Sequence, residues 1–310
     1  MPIKIPAGLP AIEALEEENI FVMTDDRARA QDIRPLEIAI VNLMPTKIAT
    51  ETQLLRLLGN SPLQVNVTLL RAEEHESHNT PARHLQRFYK TFSQIRGQRF
   101  DGMVVTGAPV EHLPFDRVDY WQELVRIMDY AVDHVCSTLY LCWAAQAALW
   151  HFFQLPKRQL PRKLSGIFSH DVCCQQSRLF RGFDDVFQAP HSRHTEVLLS
   201  DASEEPDLRV LATSREAGLA TLETRDHSMV FMTGHLEYDR DTLDQEYRRD
   251  LARGLVPEVP RHYYPSDNPE LRPGMSWRAH AHLFYSNWLN YYVYQETPFS
   301  LSEIGRTKQD

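Results

Sequence analysis

Ser137-Thr-Leu-Tyr-Leu-Cys-Trp-Ala-Ala-Gln146 joins a β-prone apolar run to a helix-prone run with only Cys142 between them. Residues 135–141 read as a buried strand, and 143–153 as a helix that starts at once. A sharp strand-to-helix turn exposes the side chain at its corner. The helix N-terminus adds partial positive charge and free N–H groups, which favour a thiolate. Cys142 is therefore a candidate nucleophile, although the commonest fate of a free cysteine is to pack as a small hydrophobe. The rest of the chain decides between the two by supplying partners or not.

Upstream of this stretch, residues 36–43, 63–70 and 100–105 read as strands. Residues 46–58, 81–95 and 116–134 have helical spacing. The order is βαβαβαβα, which predicts an α/β fold: a mostly parallel sheet with helices on both faces. Ligands in such sheets sit at the carboxyl ends of strands. The loops at 44–47, 106–111 and 142–143 thus become site candidates together. Downstream, 155–163 reads as a Pro- and Lys/Arg-rich connection, 165–174 and 196–199 as short strands, and 209–213, 219–224 and 229–233 as a tail of strands. A helix is expected over 241–254, then a Pro-rich segment over 257–274, then an aromatic helix over 277–296. The expected layout is an N-terminal arm (1–34), a catalytic α/β domain (35–256), and a C-terminal segment and helix (257–310) packing on that domain, since no polar linker separates two cores.

The net charge of −9 over 310 residues argues against a nucleic-acid binder. No apolar run approaches membrane-spanning length, and the N-terminus lacks the basic and apolar regions of a secretory signal. Four cysteines in a chain this long do not make a disulfide framework. A cytoplasmic enzyme is the expectation. Cys136 reads as structural, and Cys173-Cys174 lack the spacing of a zinc site, so no metal is expected.

A cysteine nucleophile needs a base, and the base needs a group to orient it. Among fourteen histidines, His235 stands out because it follows an apolar strand and a glycine. Glu237 lies two residues on, where an extended backbone points both side chains the same way. Cys142, His235 and Glu237 form a candidate triad. Oxyanion donors are available from the Trp143 N–H and from the turn at Gly107, where glycine lets backbone approach a ligand.

Cys142-Trp143-Ala144-Ala145-Gln146 with a distant His235-Leu236-Glu237 resembles the class I glutamine amidotransferase-like, flavodoxin-like group. The glycines that flank the cysteine there are replaced by Tyr140 and Ala144, which argues against glutamine hydrolysis. A closer resemblance covers nearly the whole chain. Met-Pro-Ile-Lys-Ile-Pro (1–6), Asn-Leu-Met-Pro (42–45), Asn-Ser-Pro-Leu-Gln (60–64), Thr-Gly-Ala-Pro (106–109), Pro-His-Ser-Arg-His (190–194) and Asn-Trp-Leu-Asn-Tyr-Tyr-Val-Tyr (287–294) resemble the homoserine O-acyltransferases, often called homoserine transsuccinylases. The resemblance implies a cytoplasmic homodimer. It implies transfer of an acyl group from acyl-CoA, a co-substrate rather than a cofactor, to the hydroxyl of L-homoserine at the first committed step of methionine biosynthesis. It further implies that Cys142 carries the acyl group as a thioester, that His235 accepts protons beside Glu237, and that Lys163, Ser192 and Arg249 contact substrate. Arginine at 249 suits a bidentate grip on an amino-acid carboxylate; Glu246, one helical turn earlier, suits an ammonium.

The family uses acetyl or succinyl donors, and the resemblance places the selecting residue at Glu111, where glutamate goes with acetyl and glycine with succinyl. The physics agrees. Two like charges about 5 Å apart at an effective dielectric near 20 repel by roughly 3 kcal/mol. Acetyl-CoA is the expected donor and succinyl-CoA the alternative. A glutamine amidotransferase-like cysteine hydrolase is the more remote one. Lys and Arg between Lys157 and Lys163 are candidates for the coenzyme A nucleotide.

Overall fold

The computed structural model describes residues 3–4, 8–17, 22–23, 34–73 and 79–305. Its main strands are Leu36–Val41 (β1), Val65–Leu70 (β2), Phe100–Val105 (β3), Val135–Leu141 (β4) and Lys157–Val172 (β5). They continue with Val186–Val197 (β6), Leu208–Ser214 (β7), Gly218–Thr224 (β8) and Met229–Met232 (β9). The helices that matter here are Lys47–Gly59 (α1), Trp121–His134 (α2), Trp143–Phe153 (α3), Thr242–Ala252 (α4) and Arg278–Asn287 (α5). Among the described residues one sheet runs β2–β1–β3–β4–β9–β8–β7–β5–β6. It is parallel from β2 through β9 and antiparallel beyond.

The short apolar strands become two-sided because their side chains alternate. In β1, Ile38 and Ile40 face one core and Ala39 and Val41 the other, all fully buried. The first core takes Leu54, Leu55, Leu57 and Leu58 of α1 together with the aromatic C-terminal segment. The second takes Leu124, Ile127 and Met128 of α2 and most of α3. The α/β architecture with helices on both faces is as read from the sequence.

Five elements differ from the sequence expectation. The expected connection at 155–163 is instead the start of β5, and the expected strand at 196–199 is the end of the much longer β6. Pro161 is accommodated by a register shift between Gln159 and Leu164 of this pair, which lies at the sheet edge where proline is tolerated. The helix expected over 81–95 stops at Phe88, and Tyr89–Lys90 joins β2 as a short parallel strand. A long-range contact overrides local propensity there: the buried Tyr89 hydroxyl donates to Glu51 Oε1 at 2.6 Å and accepts from Asn42 Nδ2 at 2.9 Å. The helix expected from 116 begins at Trp121, after the Asp119 side chain takes the Tyr120 N–H at 3.0 Å. The aromatic helix is α-helical through Asn287 and a π-helix over Trp288–Tyr294.

That aromatic segment is core. Trp277, Trp288, Leu289, Tyr292 and Val293 are buried within the chain, and Trp288 Nε1 donates to Ser137 Oγ of β4 at 3.1 Å. Gly102 in β3 makes room for it. A Cβ there would lie 2.9 Å from Ile38 Cδ1 and 3.0 Å from Trp288 Cη2. Gly102→Ala is expected to cost about 1–3 kcal/mol by overpacking, read as a lower urea midpoint at unchanged slope. An unchanged midpoint would show that Trp288 does not seat against β3.

Candidate active site

Strand register decides which residues meet. Val105 pairs with Val41 and Tyr140, and Met232 pairs with Leu141. Asn42, Thr106, Cys142 and Thr233 therefore leave the sheet at one edge, side by side. The Cys142 N–H donates to the Met232 carbonyl at 2.7 Å, locking the end of β4 to the end of β9.

Cys142 has φ +49° and ψ −114°. A non-glycine residue in such a region stores about 1–3 kcal/mol of strain, which only its surroundings can hold. The strain puts the sulfur above the strand ends at the first turn of α3, the strand–turn–helix corner known as a nucleophile elbow. Trp143, the first residue of α3, has no carbonyl four residues back for its N–H to bond. The Gly107 turn lies against this corner, and a Cβ on Gly107 would be 3.3 Å from Cys142 Cβ and 3.5 Å from the Trp143 nitrogen. Gly107 and Trp143, the expected oxyanion donors, thus lie together at the Cys142 corner.

His235 and Glu237 arrive on the turn after β9. The His235 N–H donates to Pro190 O at 2.8 Å, which fixes the turn to β6. His235 Nδ1 lies 2.6 Å from Glu237 Oε1, with both residues buried. The imidazole stacks on Tyr238 with ring centroids 4.0 Å apart. Burial alone would disfavour its charged form. The hydrogen-bonded Cys142 and Glu237 outweigh that, so the His235 pKa is raised well above 6.5. The structure brings all three candidate triad residues together.

The expected substrate-contact residues gather at the rim. Glu246 of α4 accepts the Ser192 hydroxyl at 2.5 Å and takes Lys163 Nζ at 3.3 Å on one oxygen, and the Tyr238 hydroxyl at 3.0 Å on the other. Lys163 also reaches Asp250 Oδ2 at 3.5 Å. Arg249 bonds the other Asp250 oxygen at 2.9 Å and is about half exposed, so it is tied to this cluster through Asp250 rather than directly.

Glu111 is buried rather than solvated. Its Oε1 lies 3.9 Å from Cys142 Sγ, and its Oε2 accepts the His194 N–H. Burial pushes its carboxyl above the usual range, while the His194 N–H and the nearby His235 and Arg193 pull it partly back.

Sequence reasoning missed the residues that hold these groups. Gln146 of α3 donates to Thr195 O at 3.1 Å and accepts the Thr195 hydroxyl at 2.7 Å, pinning β6 beside the nucleophile helix. Arg193, almost wholly buried, donates to the Thr195 and Ala217 carbonyls at 2.7 and 2.5 Å. His170 and His191 pair at 2.9 Å, with burial lowering His170 to about 4 and holding His191 well below its ordinary value. Their only signals are that Gln146 closes the Cys142-to-Gln146 string and that His191 and Arg193 fall in the Pro190-to-His194 string.

A model of the family described as homoserine O-succinyltransferase matches residues 2–299. The chain belongs to that family. Its members are acyltransferases, and this chain is an enzyme of that class. Among its relatives, a homoserine O-acetyltransferase of Desulfovibrio desulfuricans is 72% identical over 309 residues, covering 100% of this chain and 98% of that one. One of Brevibacillus brevis is 58% identical, covering 99% and 100%. A solved glutamine amidotransferase of Methylobacillus flagellatus covers 84% of this chain and 95% of its own at 12% identity and TM-score 0.52, which shows a shared fold. A glutamine amidotransferase of Thermotoga maritima gives 0.50 at 12% identity, covering 83% and 98%.

The charge on Cys142 is one of the two groups that raise His235. In histidine-labelled protein, His235 is expected to stay protonated well above pH 6.5, and in Cys142→Ser its titration should move down. An unmoved titration in that variant would show that the sulfur and the imidazole are not coupled.

Proposed function

We propose that this family member is a homoserine O-acetyltransferase working by acyl exchange through Cys142. The observation that carries the donor assignment is the buried Glu111 carboxylate, 3.9 Å from Cys142 Sγ. A succinyl thioester needs room for two methylenes and a terminal carboxylate beyond the carbonyl. Glu111 fills that room, and whatever charge it carries repels the carboxylate. The names of the relatives support the same reading.

The chemistry follows from the placement. His235 Nε2, left open by the Nδ1 bond to Glu237, already holds the proton taken from Cys142 in the resting enzyme, so the sulfur is a thiolate. The thiolate attacks the acyl-CoA carbonyl, and the oxyanion is received by N–H groups at Trp143 and the Gly107 turn. The carbon–sulfur bond to coenzyme A breaks, and His235 returns the proton to the departing thiolate. Homoserine then enters over the Lys163, Ser192 and Glu246 cluster. Its ammonium suits Glu246, its carboxylate suits Lys163 and Arg249, and its hydroxyl gives a proton to His235 as the oxygen attacks the thioester. Cys142 leaves as thiolate. Two acyl transfers of similar difficulty replace one direct transfer. No metal or further cofactor is needed for any of these steps, and the family resemblance carries the expectation of a cytoplasmic homodimer.

The test is kcat/KM with acetyl-CoA and succinyl-CoA, homoserine being the acceptor and glutamine a control. Wild type should prefer acetyl-CoA. Glu111→Gln, which removes charge but keeps volume, should raise succinyl use about tenfold, and Glu111→Gly, which removes both, about a hundredfold. The preference of wild type should also weaken as pH falls through the raised Glu111 pKa, because the protonated carboxyl keeps its volume and loses its charge. Preference for succinyl-CoA by wild type, or release of ammonia from glutamine, would overturn the assignment.

A further inference from the structure

Lys157 sits at the start of β5, opposite Val197 of β6. Its ammonium is bonded within the chain. Lys157 Nζ donates to the carbonyls of Glu111 and Leu113 at 2.6 Å each and lies 4.6 Å from the centre of the Phe115 ring. Among the described residues no backbone N–H reaches either carbonyl. The turn over 110–113, closed by a single Leu113 N–H to Val110 O bond of 3.0 Å, is therefore fastened from outside by one side chain.

That turn aims Glu111 at the sulfur. Its carboxylate is held by the His194 N–H of β6, and its backbone by Lys157 of β5. Both restraints come from the same hairpin. We infer that Lys157 is the positioning residue for donor selectivity, clamping the Glu111 turn so that the carboxylate cannot withdraw from the acyl pocket. The inference rests on the proposed role of Glu111. A glutamate on a free turn can swing aside for a larger acyl group, and selectivity is only the difference between two affinities. A clamped one cannot. The bonds from a partly desolvated ammonium to two carbonyls are of the charge-assisted kind, the stronger class of hydrogen bond.

The experiment compares kcat/KM for acetyl-CoA and succinyl-CoA in wild type, Lys157→Met and Lys157→Arg. Arg178→Met serves as a control, since Arg178 pairs with Glu296 at 2.8 Å away from the Glu111 turn. Lys157→Met should cut the acetyl-to-succinyl ratio about tenfold, mainly through a lower KM for succinyl-CoA. Lys157→Arg, which keeps cationic N–H donors, should restore most of the ratio, and Arg178→Met should leave it at the wild-type value. General damage would lower both donors together. A lysine that gripped the coenzyme A phosphates would raise both KM values together. Either pattern, with the ratio unchanged, overturns the inference. A wild type that prefers succinyl-CoA would instead sink the reading of Glu111, and the two failures are told apart by the wild-type ratio alone.

Discussion

The hydrogen bond from the Cys142 amide to the Met232 carbonyl, 2.7 Å long, is the joint on which the site depends. It holds the corner of the chain between two parallel strands while the residue at that corner sits at φ +49°. Strain of this kind persists only where packing on all sides forbids relaxation. Here β3 and β9 flank the strand, α3 is buried behind it, and the Gly107 turn closes over it. The same register that holds the sulfur also delivers His235 on the neighbouring strand end. Cys142 and His235 are thus placed by sheet geometry rather than by flexible loops.

The antiparallel half of the sheet serves the site in a different way. The β5–β6 hairpin contributes Pro190 O to the His235 N–H, Thr195 to Gln146, Ser192 and Lys163 to Glu246, and both restraints on Glu111. The parallel half carries the Cys142 sulfur and the His235 imidazole. The hairpin sets the walls around them. Such a division lets the proposed acyl pocket change while the elbow stays fixed.

Much of this was legible in the sequence. Apolar runs of six or seven residues between turn residues mark β1 to β4, because buried parallel strands have no polar face to hide. Cys142 stood out because a strand and a helix abut there with no spacer, and His235 and Glu237 because two residues in extended chain share a direction. Lys157 to Lys163 misled for a physical reason: Pro161 and four basic residues read as a linker, yet at a sheet edge a proline and solvated cations are tolerated. Tyr89 misled because its strand conformation is dictated by Glu51 and Asn42, which are far away in sequence. The pairing of Gln146 with Thr195 is likewise a contact across 49 residues. No local pattern records it. The family strings supplied what spacing did not, above all the place of Ser192 and Glu111.

The most direct test of an acyl-carrying Cys142 is peptide mass mapping after brief exposure of the enzyme to acetyl-CoA without homoserine. The account predicts one acetyl group on the peptide bearing Cys142, lost on adding homoserine and absent from Cys142→Ala. Acetyl found on Cys136, Cys173 or Cys174 instead, or turnover by Cys142→Ala at the wild-type rate, would contradict it.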